Sequence, residues 1–303
     1  MSLDADRLID RRRLKRRLTF WRLAAIVAIV AFIAAVAGRY ADGVSGGYVA
    51  KLTVEGIILD DAARTDALAA VAGDGDAKAL IVYIDSPGGS VVGGESLFRG
   101  LREVAAAKPV VAVMGDLATS AGYMAAIGAD RVFARAGSVT GSIGVIMQSA
   151  DITGLLDKLG IRPEIIKSAP LKAQPNPFEP FSPAAREATR VVVADIFELF
   201  VDMVVERREM ARERVLDLAD GRVFTGRQAK ANGLVDDLGG EAEARQWLTE
   251  AKGVAEGLPV RPVEIAREDG WWRELLDASV GKSVFSERLR LDGLVSVWHP
   301  EGR

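Results

Sequence analysis

Apolar and polar positions divide this chain into an uncharged N-terminal stretch, a long alternating body and a mixed tail. Between Arg22 and Arg39 sixteen consecutive residues carry no charge. With Leu18–Trp21 on one side and Tyr40 on the other, the segment reaches the ~20 residues a membrane-crossing helix needs. Arginines at both ends can snorkel, and Trp21 and Tyr40 stand where interfacial aromatics belong. The run Arg11-Arg-Arg-Leu-Lys-Arg-Arg17 lies on the N-terminal side, so the positive-inside bias puts residues 1–17 in the cytoplasm and the body beyond the membrane. Two processed states are open: an uncleaved anchor over 18–40, or a signal peptide cleaved after Ala35-Val-Ala37. A buried core helix is the third reading, and the basic flank and interfacial aromatics argue against it.

Residues 41–47, Ala-Asp-Gly-Val-Ser-Gly-Gly, read as a short flexible link. Beyond them, strand-like runs alternate with helical stretches. Tyr48–Leu59 predicts one or two strands, and Ala79-Leu-Ile-Val-Tyr-Ile-Asp85 is the continuous apolar run of a buried parallel strand. A helix is predicted over Gly94–Ala107, a strand over Pro109–Met114, and a helix from about Ser120. Short strands are predicted at Arg131–Ala134, Ile143–Met147 and Glu164–Lys167. This alternation predicts an α/β architecture with a mainly parallel sheet. Pro170–Pro183 holds five of the eleven prolines and predicts a stiff extended loop. Ser182-Pro183 then caps a long helix whose apolar residues, Val191 to Val204, fall on one face.

Composition removes several kinds of chemistry. The chain has 303 residues, 49% hydrophobic, with a net charge of −3. That provides for a proper core but no basic footprint for nucleic acid. There is no cysteine and one histidine, His299, near the C-terminus. Thiolate chemistry, disulfides and an ordinary serine–histidine pair are therefore not expected.

Three glycine-rich turns punctuate strand ends. Asp85-Ser-Pro-Gly-Gly-Ser90 follows a buried strand and precedes a helix, where Gly88 and Gly89 can aim backbone N–H groups at a ligand. It lacks the spacing of a dinucleotide or phosphate loop, and an ordinary turn would look the same. In Gly115-Asp-Leu-Ala-Thr-Ser-Ala-Gly-Tyr123, Ser120 stands at a helix start among small neighbours. It reads either as a helix cap or as an accessible nucleophile, with the Ala121 N–H near an attacked carbonyl. Gly137-Ser-Val-Thr-Gly-Ser-Ile-Gly144 reads as a turn whose hydroxyls bond local backbone. Lys172 sits on the proline-rich loop. It is a solvated surface charge, or a lysine desolvated by Leu171, Phe178 and Phe181 and able to act as a base. Ser-Lys pairs are a known variant of the serine–histidine arrangement.

Together these stretches resemble the signal peptide peptidase A family, peptidase family S49, in its half-length single-repeat form. The likeness runs from about Tyr48 to Ala251. It is carried by Asp85–Ser90, Ala118-Thr-Ser-Ala-Gly-Tyr123, Thr140-Gly-Ser-Ile-Gly-Val145, Ile166-Lys-Ser-Ala-Pro-Leu-Lys172 and Asp220-Gly-Arg-Val-Phe-Thr-Gly-Arg-Gln-Ala229. The resemblance implies a Clp-protease/crotonase-like α/β fold with Ser120 as nucleophile, Lys172 as general base and Ser142 orienting the lysine amine. It also implies that Gly88 or Gly89, with Ala121, forms the oxyanion hole. Lys167 is a nearby alternative base. No cofactor or metal is expected. The implied organisation is a basic cytoplasmic tail (1–17), a transmembrane anchor (18–40), a linker (41–47), a protease domain (48–255) and an extension (256–303) that packs at a subunit contact or on the membrane. The implied setting is single-pass in a bacterial inner membrane with the catalytic domain outside. The implied partners are signal peptide remnants and further copies of the chain, in a ring whose neighbours complete each active site.

Two other functions fit the same turns. A crotonase-type acyl-coenzyme A enzyme would use the same glycine-rich oxyanion hole, although no carboxylate pair stands near the turns. A non-catalytic membrane scaffold would make Ser120 a cap and Lys172 a surface charge.

Overall fold

A computed structural model describes residues 20–33, 47–266 and 294–297. The chain divides into two units, Met1–Gly47 and Tyr48–Arg303. In the first, residues 20–33 form helix α1 with Trp21, Val27 and Phe32 exposed. No described helix is long and apolar enough to cross a membrane. The ends of the 18–40 segment, the basic tail, and most of the linker and of the C-terminal extension lie outside the described residues.

The second unit is built on a mainly parallel sheet. β1 (Tyr48–Ile58), β2 (Ala77–Ser90), β3 (Val110–Thr119), β4 (Arg131–Ala134) and β8 (Asp237–Leu238) pair in that order, all parallel, and β9 (Val260–Pro262) adds to the outer edge of β1. The apolar run in β2 shows why both faces must be covered. Leu80, Val82 and Ile84 enter one core cluster while Ala79 and Ile81 enter another, as the two-residue period of a strand requires. The first cluster is closed by α2 (Ala62–Gly73), α3 (Val91–Ala107), α4 (Ala121–Ala126) and the C-terminal half of α6 (Pro183–Arg208). The second is closed by Ala244 and Leu248 of α9 (Glu241–Lys252). Each fully buried Leu, Ile or Val contributes about 1.5–3 kcal/mol, so this three-layer body is the stable frame of the molecule.

Toward its C-terminal end the sheet divides. β3 runs past Met114 to Thr119, because its last residues leave β4 and pair instead with β5 (Val139–Gly141). β5 is backed by antiparallel β7 (Val223–Thr225). The far end of β2, Gly88–Ser90, pairs with β10 (Leu294–Val297), which also pairs with β6 (Ile146–Met147).

Several expectations change. Glu164–Lys167 forms no strand; Ile165 and Ile166 are exposed and have no ladder partner, and β-branched residues alone do not make a strand. The strand expected over Ile143–Met147 shrinks to Ile146–Met147. α3 starts at Val91, three residues before the expected Gly94, because the Ser90 hydroxyl accepts the Gly93 N–H as its cap. Pro170–Pro183 runs largely through turns rather than extended chain. In α6, Ser182 caps as expected, accepting from the Ala185 N–H. Its apolar face is split, with Phe200, Met203 and Val204 buried but Val191 and Val192 exposed. Between the body and α6 lies an arm, residues 151–182, containing α5 (Thr153–Lys158) and no buried residue.

Candidate active site

The turn from β3 into α4 fixes Ser120. Its backbone adopts φ 56°, ψ −118°, and the residue is 1% exposed. Such a conformation costs a non-glycine residue about 1–3 kcal/mol and persists only where its surroundings hold it. Here the Ser120 N–H donates to Gly141 O (2.8 Å) and its carbonyl accepts from the Met124 N–H (2.8 Å). Ala118, Thr119 and Ala121 around it are fully buried. The Ser120 side chain makes no capping bond to α4, so the cap reading fails. The hydroxyl is left for something else. Ala121, at the first position of α4, has an N–H that no helical carbonyl can reach.

The Pro-Gly-Gly turn is pinned beside it. Ser86, fully buried, donates its hydroxyl to Gly56 O (2.6 Å) and accepts the Gly88 N–H (3.1 Å). Thr119 Oγ1 donates to Pro87 O (3.0 Å), tying the residue before Ser120 directly to the turn. Asp85 accepts the Leu117 N–H (3.0 Å). Gly88 takes φ 116°, which a side chain would resist. At Gly89 a Cβ would lie 1.8 Å from Ile58 O, so only glycine lets β1 and β2 approach this closely.

Ser142 joins the same corner. Thr119 pairs with Gly141, so β5 delivers Ser142 alongside Ser120. Ser142 also has a positive φ, 51°, is largely buried, and donates its N–H to Arg222 O (2.8 Å). The neighbouring hydroxyls reach further than a local turn. Ser138 Oγ donates to Gly115 O (2.6 Å) and Thr140 Oγ1 to Ala118 O (2.7 Å), both on β3. The stretch Asp220–Ala229 braces this corner: β7 backs β5, the Gly226 N–H donates to Ser138 O, and Thr225 with Gln228 forms a capping box. Tyr123 Oη donates to Leu234 O (2.9 Å), and burial holds its phenol well above the ordinary range, so it remains a neutral pin on α4. Ser86 and Thr119 act here through hydroxyl bonds to backbone and Arg222 through its carbonyl, and no spacing rule would have singled them out.

The lysines behave differently. Lys167 forms an ion pair with Glu179, itself also bound by Asn176 Nδ2, and the Lys167 side chain is 14% exposed. Lys167 donates to the Glu179 carboxylate and holds its carboxyl below the usual range. The Lys167 amine is thus already engaged within the arm. Lys172 donates only its backbone N–H, to Ala169 O (3.1 Å). Its side chain is exposed and, among the described residues, makes no hydrogen bond or ion pair. The desolvation expected from Leu171 and Phe178 is absent in the single chain, since both are themselves exposed. The structure thus ties Ser120, Ser142, Ala121 and the Gly88–Gly89 turn into one corner, and none of the bonds that do so involves the exposed Lys172 side chain. No group of His, Cys, Asp or Glu able to hold a metal occurs among the described residues.

The family model for Peptidase family S49 matches residues 102–255. A Synechocystis protein with a provisional protease designation is 39% identical over 176 residues, covering 58% of this chain and 64% of that one. The Arabidopsis thaliana serine protease SPPA, chloroplastic, is 32% identical over 221 residues, 72% of this chain and 32% of that one. The chain thus spans less than two thirds of the length of these curated relatives. Among solved structures, a ClpP1 mutant from Listeria monocytogenes aligns with a TM-score of 0.43 and 16% identity, over 63% of this chain and 91% of that one.

Proposed function

The chain belongs to peptidase family S49, and from that premise we propose that it is a membrane-anchored serine endopeptidase with Ser120 as nucleophile and Lys172 as general base. Neutral Lys172 takes the Ser120 proton as Oγ attacks a peptide carbonyl carbon. Backbone N–H groups of Ala121 and of Gly88 or Gly89 stabilise the oxyanion. The resulting ammonium gives its proton to the leaving amine, the C–N bond breaks, and an acyl-enzyme remains. Water, deprotonated by the same lysine, releases the acyl group. Ser142 orients the amine.

The observation that carries this reading is the Ser120 backbone: a serine in a sparsely populated conformation, at a strand-to-helix turn, with no capping role. Strain of that kind is retained where it aims a side chain. A nucleophilic serine on a sharp strand-to-helix turn is also a recurrent arrangement in other hydrolases, an analogy of geometry only. Lys172 reaches the site when a neighbouring copy covers the arm. That reading draws support from the exposed apolar residues Leu155, Leu159, Ile161, Ile166 and Phe178 on the same arm, since exposed apolar groups gathered in one place mark interaction surfaces. We read the whole as a Clp-protease/crotonase-like domain in a ring. It is held by the 18–40 anchor in a bacterial inner membrane, with 1–17 cytoplasmic and the catalytic domain outside, and it degrades remnant signal peptides and other hydrophobic membrane-derived peptides.

Ser120→Ala and Lys172→Ala should each reduce hydrolysis of a quenched hydrophobic peptide by ~10⁴-fold or more, with circular dichroism unchanged. Full activity in either variant overturns the dyad.

A further inference from the structure

The arm from residue 151 to 182 contains no buried residue, so packing cannot fix the backbone at Lys172 and polar bonds must. Two of them make its turn. The Lys172 N–H donates to Ala169 O (3.1 Å) and the Gln174 N–H to Leu171 O (3.2 Å). Between them Ala173 takes φ 60°, a left-handed conformation that a residue with a Cβ leaves unless something holds it. Asn176 holds it. Its Nδ2 donates to Ala173 O (2.7 Å), and its Oδ1 accepts the Phe178 N–H (2.9 Å). The same Nδ2 donates to Glu179 Oε1, which also accepts from Lys167 Nζ. The Gln174 side chain adds to this carboxylate, while its own Oε1 is buried with no hydrogen-bond partner. A buried oxygen left so costs stability, so Gln174 is kept in place by its other bond.

One carboxylate therefore joins Lys167, on the chain entering the Lys172 turn, to Gln174 and Asn176, on the chain leaving it. The Glu179 side chain is 24% exposed, and a pair this well covered is screened less than one in open solvent. We propose that Glu179 is a positioning residue for Lys172: its carboxylate closes the loop 167–179 and fixes the backbone from which the lysine side chain reaches its serine. The proposal rests on the reading of Lys172 as general base. A lysine amine rides on a flexible four-carbon stem, and proton transfer requires it within about 3 Å of the hydroxyl. Such a group is aimed only if its backbone is fixed, and on this arm the fixing passes through Glu179. Lys167 supplies the cation of the same node.

The test reads geometry and catalysis separately, in the full-length protein. Glu179→Ala should lose amide protection across residues 169–178 in hydrogen exchange at fixed pH, with exchange in β2 and circular dichroism unchanged. Activity is measured on a quenched hydrophobic peptide, at concentrations where sedimentation gives each variant the size of the parent protein. There kcat should fall by ~10²-fold, the cost of misplacing a reacting group by about 1 Å, and KM should stay within ~3-fold. A carboxylate that only stabilised the arm would not split kcat from KM. Lys167→Met should repeat the loss, and Lys167→Arg should restore most of the activity, since the cation is kept. Arginine does not give up its proton, so that recovery also excludes Lys167 as the base. Unchanged protection in Glu179→Ala, or full activity in Glu179→Ala or Lys167→Met beside an inactive Lys172→Ala, overturns the proposal alone. Full activity in Lys172→Ala refutes the base reading itself, and the positioning role falls with it.

Discussion

The corner around Ser120 and the arm around Lys172 are built in opposite ways. Ser120 is held by buried strands on both sides, by the Ser86 and Thr119 hydrogen bonds to the Pro-Gly-Gly turn, and by α4 packed into the main core. Lys172 sits on a segment without one buried residue between 151 and 182, braced mainly by the Lys167–Glu179–Asn176 cluster. Protein interiors are close-packed and tolerate little displacement, so the position of Ser120 is preset by folding. Lys172, exposed on an arm with no buried residue, is not. That division leaves Ser120 joined to the core of its own chain and the Lys172 side chain exposed on the arm.

Substitutions can break this contrast. The largest effect on stability should come from the frame: Leu80→Ala, at a fully buried β2 position, should cost about 2–5 kcal/mol in urea unfolding. Ser86→Ala comes next, because it takes the hydroxyl partner from the Gly56 carbonyl and from the buried Gly88 N–H. About 1–3 kcal/mol should be lost, and kcat should fall more than KM as the turn loosens, a split that a purely structural serine would not give. Ile166→Ser on the arm should shift folding by no more than about 0.5 kcal/mol, while sedimentation shows weaker self-association. Equal losses of stability from Leu80→Ala and Ile166→Ser would erase the distinction between frame and arm.

The smallest effect sharpens the contrast through pH. Lys167 donates to Glu179 and holds its carboxyl below the ordinary range. A carboxyl depressed in the folded state stabilises above its unfolded value of about 4.3, and that contribution disappears as pH falls through the lower folded value. Protection factors across residues 159–182, corrected for the intrinsic pH dependence of amide exchange, should therefore fall on acidification below pH ~4, and Glu179→Gln should remove that dependence. Exchange in β2 should change less over the same range.

Much of the frame was legible because its signals are local. The apolar run in β2 demanded cover on both faces, Ser182-Pro183 marked the start of α6, and Arg131–Ala134 emerged with the expected bounds. Ser120, Ser142 and the Gly88–Gly89 turn were also legible as candidates, and the structure gathers them. The arm was misread where local preference had no tertiary support, as at Glu164–Lys167, which forms no strand, and over Pro170–Pro183, which turns rather than extends. The stretch Asp220–Ala229 was visible as a motif, but its work as a brace on β5 was not.

The sequence by itself determined the alternation of elements, the lack of any cysteine among these 303 residues, and the family to which the chain belongs. Periodicity, capping and composition act within a few residues and can be read along the chain. Only the tertiary structure decided the positive φ of Ser120, the pairing of Thr119 with Gly141 that brings Ser142 beside it, and the place of residues 294–297 along Gly88–Ser90. Those depend on which distant strands meet, and strand pairing is set by packing between segments far apart in sequence.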